Sequence, residues 1–209
     1  VRIHAVTPIH VDEAEVARRQ ARYDALAPRG VRVELHDIGP EAPRALETEA
    51  DVRASEELVG KALAAARPGV DATLPDCVLD PAVPAPGGEQ PFPPTLGLLR
   101  LGVGAAVLAG ARVAAVARNR AIAAELEARI AAYGWSGAFL GVTVLDLAVE
   151  DIEDGDRWVR AVRPALERAG AAGADVVLNG CSAVDVEEGL DPALPRLLDP
   201  ISTALRLLR

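Results

Sequence analysis

Two copies of one short phrase dictate the plan of this chain. Gly69-Val-Asp71-Ala-Thr-Leu74-Pro-Asp-Cys77 and Gly173-Ala-Asp175-Val-Val-Leu178-Asn-Gly-Cys181 carry glycine, aspartate, leucine and cysteine at identical offsets. Each follows an alanine-rich stretch of helical character and ends on one of only two cysteines in the chain. A glycine just past a helix, then an apolar run, reads as helix, turn and strand, with the sulfur at the strand's carboxyl end. Ligands of open α/β sheets bind beyond those ends. A duplicated unit can therefore bring two thiols to one cleft, a geometry suited to moving a proton between the faces of a carbon.

The segments around the phrases repeat as well. Strands are predicted over 1–6 and 31–36 and helices over 12–26 and 48–66, before the strand that leads into Cys77. In 12–26, Val16 and Ala17 mark the apolar side and the arginines fall elsewhere; in 48–66 the stripe is Leu58, Val59, Ala62 and Leu63. Arg112-Val-Ala-Ala-Val116 parallels Arg2-Ile-His-Ala-Val6 and restarts the pattern. A helix over 121–133, a strand-like run over 138–145 and a helix over 156–172 then lead to the strand before Cys181. Repeated β-α-β order predicts parallel sheets with right-handed crossovers. The fold class is α/β, two pseudo-twofold-related lobes, each a parallel-stranded sheet flanked by helices, with the active-site cleft between them. Half of the residues are hydrophobic but only 3% are aromatic, so alanine, valine and leucine build the core, as tight helix-on-sheet packing allows.

Several function classes are excluded. A net charge of -9 and no basic cluster with interleaved aromatics leave no surface for nucleic-acid phosphates. No apolar run approaches the roughly 20 residues of a membrane helix, and the N-terminal segment lacks the parts of a signal peptide. A cytoplasmic protein acting on a small molecule is expected, as a homo-oligomer, with its cysteines kept as thiols. Lys61 is the only lysine and lies within a helical pattern, which disfavours a pyridoxal-phosphate Schiff base. His4, His10 and His36 show no metal-ligand spacing with the cysteines; His4 reads as a core or edge residue and His10 as a site candidate. Gly102-Val-Gly104 lacks the third glycine of a dinucleotide fingerprint and reads as a point of close helix packing. No cofactor or metal is expected. The acidic run over 150–156 reads as a solvated loop entering a helix. Residues 84–94, with five prolines and two glycines, are either a surface connection or a lid near the site.

A free thiol titrates near 8.5, so ionising it at pH 7 costs about 2 kcal/mol. A helix or helical turn after each thiol would return about 0.3–1 kcal/mol, and up to about 2 when partly buried. Its N–H groups would also hold the oxygen of an enol-like intermediate. The alternatives are two buried structural cysteines or a disulfide, although bases flanking a substrate stand too far apart to bond.

At these residues the chain resembles the aspartate/glutamate/hydantoin racemase superfamily, most of all its hydantoin racemase branch. The family's cysteine followed by Asp-Pro is similar to Cys77-Val-Leu-Asp80-Pro81, and its Leu-Gly-Cys-small motif to Leu178-Asn179-Gly180-Cys181-Ser182-Ala183. Its Pro-Val-Ile-Gly strand resembles Pro94-Thr-Leu-Gly97, its Gly-x-Arg strand entry Gly110-Ala-Arg112, and its C-terminal Val-Ile-Asp motif Leu197-Leu198-Asp199-Pro200-Ile201. The resemblance implies two lobes, 1–96 plus 196–209 and 97–195, with the C-terminal helix returning to the first. It also implies cofactor-independent stereoinversion with Cys77 and Cys181 as paired acid and base. Val78 and Ser182 would offer N–H groups beside the thiols, and with Asp80 and Ala183 they are expected substrate-binding residues.

Two motifs depart from the family. Its Asn-Pro-Asn is here Thr7-Pro8-Ile9, which keeps a hydroxyl at Thr7 but is apolar at Ile9. Its Thr-Thr is here Ala117-Arg118-Asn119, where Arg118 could supply a charge-assisted bidentate contact or lie at the surface. Thr7, Pro8, Arg118 and Asn119 are therefore the expected substrate contacts. The same family contains cis-trans isomerases with a cysteine nucleophile and decarboxylases with a cysteine acid. A cytosolic small-molecule binding protein is the non-enzymatic alternative.

Overall fold

The computed structural model describes residues 1–66, 68–153, 155–186 and 191–208. β1 (Arg2–Val6), α1 (Glu13–Leu26), β2 (Arg32–His36), α2 (Glu49–Ala64) and β3 (Ala72–Pro75) form a parallel sheet of order β2-β1-β3. After α3 (Leu98–Leu108) come β4 (Val113–Ala117), α4 (Arg120–Ala132) and β5 (Phe139–Val144). A 3₁₀ turn (Val149–Glu153), α5 (Gly155–Ala171), β6 (Val176–Asn179), β7 (Arg196–Leu198) and α6 (Pro200–Arg206) follow. The second sheet is also parallel, in the order β5-β4-β6-β7. Its first three strands repeat the arrangement of the first sheet.

The duplicated phrase has a physical reason at each shared position. Gly69 and Gly173 sit at φ of +89° and +84°, the left-handed region open to glycine without a β-carbon clash. The Asp71 carboxylate accepts the Arg2 N–H at 2.7 Å, and the Asp175 carboxylate accepts the Arg112 N–H at 2.7 Å. Each aspartate N–H in turn donates to the carbonyl of the same arginine, at 2.8 and 2.9 Å. These clasps set the register of β3 on β1 and of β6 on β4, so that Pro75 pairs with Val6 and Asn179 with Val116. Each thiol then emerges two residues past the last paired position.

Small apolar residues are required because β4 is buried throughout. Val113, Ala115 and Ala117 meet Ile122, Leu126 and Ile130 of α4, while Ala114 and Val116 meet Trp158, Val162 and Leu166 of α5. Cys77, Val78 and Leu79 join the α4 side of that core, tying the first unit to the second. Gly102 and Gly104 pack α3 closely: a β-carbon at Gly102 would stand 3.3 Å from Leu198 and one at Gly104 3.1 Å from Trp135.

Three expectations change, and one open choice narrows. Residues 196–209 do not belong wholly with the first sheet: β7 pairs with β6, and only α6 reaches the first core, through Ile201, Ala204 and Leu205. The acidic run is not a plain solvated loop. Val149 and Ile152 share one side of the 3₁₀ turn, as i and i+3 do in that helix, and both border the cavity described below; Asp154 lies outside the described residues. Residues 84–94 do not border that cavity, and Pro91, Phe92 and Pro93 instead border a separate hollow with Gly60 and Leu63 of α2. Finally, the arginines of α1 do not all face away from the core: Arg19, Arg22 and Tyr23 are its buried residues.

Candidate active site

Cys77 and Cys181 line one cavity of about 60 Å³. Pro8, Ile9, Leu46 and Leu79 form much of its wall, Ile122, Val149 and Ile152 cover it, and Arg19 and Arg118 bring charge. A larger hollow of about 560 Å³, bordered by Asp12, Glu15, Arg18 and Asp185, adjoins it at Ile152 and Ala183. Cys77 is buried and Cys181 half-buried, and neither is in a disulfide. Among the described residues, no group of three His, Cys, Asp or Glu could hold a metal ion, and no helix is long and apolar enough to cross a membrane.

Of the helix or helical turn expected after each thiol, a single turn is what forms. Each thiol opens a single turn: the Cys77 carbonyl accepts from Asp80 N–H at 3.3 Å and the Cys181 carbonyl from Val184 N–H at 3.4 Å. The N–H groups that meet the sulfurs lie two residues on. Leu79 N–H donates to Cys77 Sγ at 3.5 Å, and Ala183 N–H, with Val184 N–H one residue further, lowers the cost of charge on Cys181. A one-turn segment has too few aligned peptides to supply the helix-dipole stabilisation estimated above.

Of the residues expected around the thiols, Pro8, Val78, Arg118, Ser182 and Ala183 border the cavity, while Thr7, Asp80 and Asn119 are not among its lining residues. Thr7 is fully buried, and its hydroxyl shapes its own loop: it donates to Ile9 O at 2.9 Å and accepts from Ile38 N–H at 3.1 Å. Asp80 accepts the Leu99 and Arg100 N–H groups at the start of α3, both at 2.9 Å, and the Tyr133 hydroxyl at 2.8 Å. Its φ of 49° is a conformation that aspartate tolerates better than most residues. Burial pushes its carboxyl up to about 6. Asn119 caps α4 through Ile122 N–H at 2.9 Å and donates to Leu46 O at 2.7 Å. Arg118 is buried, pairs with Glu47 at 2.6 Å and donates to the Leu46 and Leu147 carbonyls. His10 bonds Asp37 at 2.7 Å and is not a lining residue.

Sequence reading missed the α1 arginines. Arg18 donates to Ala183 O at 2.9 Å and Arg22 to Ser182 O at 2.5 Å, gripping the turn that carries Cys181. Arg22 also pairs with buried Asp199 at the start of α6. Arg19 donates to Glu15 at 2.7 Å and to the fully buried Asp76 at 3.3 Å, and Asp76 also accepts the Tyr23 hydroxyl at 2.9 Å. Ser182 Oγ donates to Asp76 O at 2.9 Å, closing the seam between the two thiol segments. Burial opposes the Arg19 charge, but Asp76 and Glu15 more than restore it, so its pKa rises; burial pushes the Asp76 carboxyl up as well. One signal was available: the two phrases differ just before the thiol, Asp76 against Gly180, and a carboxylate on a buried strand end needs a cation.

The family described as Asp/Glu/Hydantoin racemase matches residues 14–208. Uncharacterized protein C1F7.10 of Schizosaccharomyces pombe is 26% identical over 194 residues, which cover 88% of this chain and 81% of that protein. Two solved structures share the fold. Allantoin racemase from Klebsiella pneumoniae has a TM-score of 0.77 at 20% identity, covering 100% of this chain and 86% of that one. Allantoin racemase from Pseudomonas fluorescens has a TM-score of 0.80 at 18% identity, covering 99% and 88%.

Proposed function

The chain belongs to the Asp/Glu/hydantoin racemase family, and from that premise we propose that it is a cofactor-independent racemase or epimerase of a small carbonyl compound. Cys77 and Cys181 act as acid and base on the carbon next to the carbonyl, in an amino acid, a hydantoin or a related small acid. The observation that carries the reading is that the equivalent thiols of the two repeats border the same cavity.

One thiolate removes the α-proton, the electron pair moves onto the carbonyl oxygen, and the opposite thiol returns a proton to the other face. Apolar walls keep water out, which strengthens every donor aimed at the developing oxyanion. Substrate contacts are supplied by Pro8, Val78, Ser182, Ala183 and Arg118 rather than by the loop hydroxyl of Thr7. Ile9, Leu46 and Ile122 suit a substrate with an apolar substituent.

Replacing either Cys77 or Cys181 by alanine should lower racemisation of a hydantoin or amino-acid panel by at least about 10²–10⁴-fold, the usual worth of a positioned acid or base. In deuterated water the wild type should label the stereocentre. A nucleophilic cis-trans isomerase would instead show the mass of a thioether adduct. Near wild-type racemisation by Cys77→Ala refutes the two-thiol reading.

A further inference from the structure

The two thiols share one backbone frame, yet buried carboxyl groups neighbour only one of them. Cys77 is preceded by Asp76 and followed three residues later by Asp80, both fully buried carboxyl groups. The same offsets around Cys181 hold Gly180 and Val184, which carry no charge. Arg19 and Arg118 line the cavity that both thiols border, and Arg22 holds the Ser182 carbonyl next to Cys181. Arg18 holds the next turn at Ala183 O.

Arg19 is built to face this space. Its Nε is held by Glu15 and its Nη1 by Asp76, and its side chain is only 7% exposed. Among the described residues its Nη2 makes no hydrogen bond, and it is not a buried atom left without a partner; the residue itself borders the cavity. The remaining charges nearby are accounted for. Glu47 partners Arg118 from the loop before α2, Asp185 and Asp199 flank Arg22, and Arg100 and Tyr133 lie beside Asp80.

We propose that Arg19 is a positioning residue that makes Cys181 the more readily ionised thiol of the pair, so that Cys181 is the base for one enantiomer and Cys77 the acid that answers it. The inference rests on the two-thiol reading above and assigns the roles within it. Burial pushes Cys77 up to about 12; Leu79 N–H offsets part of this, and Asp76 and Asp80 add to it. Burial raises Cys181 as well and keeps it above the ordinary thiol value, though Ala183 N–H, Arg19, Val184 N–H and Arg118 offset part of the rise. No carboxylate adjoins Cys181 as Asp76 adjoins Cys77.

Once ionised, Cys181 Sγ takes the α-proton of one enantiomer and the C–H electron pair passes to the carbonyl oxygen as an enolate. The S–H proton of Cys77 then bonds to the opposite face of the carbon and the carbonyl re-forms. The pair is left as Cys181 thiol and Cys77 thiolate. It resets when Cys181 gives a proton to solvent and Cys77 takes one, with no net change.

The test is thiolate ultraviolet absorbance against pH in Cys77→Ala, which leaves Cys181, and in Cys181→Ala, which leaves Cys77, with the double variant subtracting the tyrosines. Cys181 should ionise at clearly lower pH than Cys77. Adding Arg19→Met to Cys77→Ala should shift the Cys181 titration up by about one pH unit, a tenfold loss of thiolate at a given pH, and Arg19→Lys should recover most of the shift. Glu15→Gln, on the partly exposed side of α1, leaves Arg19 one counter-charge fewer and should move Cys181 down; this arm holds even if Arg19→Met does not fold. Cys77 ionising first, or a Cys181 titration indifferent to both Arg19 and Glu15 changes, overturns the proposal. No substrate is involved, so an expected titration in a protein without racemase activity would refute the proposed function alone.

Discussion

Gly180→Ala measures how closely the second thiol segment is laid on its sheet. Gly180 joins β6 to Cys181 where the chain passes the end of β4. A β-carbon there would overlap the Val116 carbonyl oxygen and stand 3.1 Å from the Val116 carbonyl carbon and 3.3 Å from Ala117 Cα. All three are backbone atoms of a strand held between β5 and β6, so no side-chain rotation relieves the overlap. Overpacking usually costs about 1–3 kcal/mol, and an immovable neighbour places this case at the upper end, about 3 kcal/mol. At about 2–4 °C per kcal/mol for a chain of this size, Tm should fall by about 6–12 °C. Thermal unfolding followed by circular dichroism, with urea midpoints at unchanged slope, measures it. Gly137→Ala is the control: nothing lies within 4 Å of a β-carbon at that position, and its effect should stay within about 0.5 kcal/mol. A Gly180→Ala protein as stable as the control would refute the close approach that fixes Cys181.

Two further predictions concern buried charges. Burial raises the Asp80 carboxyl to about 6, against about 3.9 in an unfolded chain. The folded protein therefore keeps a proton that the unfolded chain releases between those values. The stabilisation is present below about pH 4 and is lost as pH rises through 6, a fall of about 3 kcal/mol. Urea-derived stabilities of wild type and Asp80→Asn at pH 4 and 7 should diverge by that amount, and a constant difference would contradict it. Arg22→Leu strips buried Asp199 of its guanidinium and should cost about 3–5 kcal/mol. Adding Asp199→Asn should recover part of the loss in a double-mutant cycle, whereas strictly additive costs would show that the pair is not coupled.

The repeat made the fold readable. Phrases with glycine, aspartate and leucine at fixed offsets specify a left-handed turn, a clasp on the neighbouring strand and a core contact, all local demands. Helix positions followed from apolar periodicity, and the structure sets their starts with caps at Asp12, Thr48 and Asn119, whose side chains accept the first free N–H groups. β7 was less legible, because three residues carry too little periodicity to say which sheet edge they join. The α1 arginines were misplaced for a related reason. Helical periodicity sorts apolar from polar faces, but it cannot show that buried carboxylates from distant segments wait on one of them.

By itself the sequence determined the α/β class, the doubled order of strands and helices, the exit of each cysteine at a strand end and the family resemblance. These depend on local backbone chemistry and on the spacing of residues that touch along one strand pair. The tertiary structure alone decided that both cysteines border one cavity, that single turns follow them, and that Arg19 of α1 reaches that cavity and Asp76. Those outcomes rest on contacts between residues as far apart as Arg22 and Asp199, where packing against a second element, and not neighbours in the chain, sets position and charge.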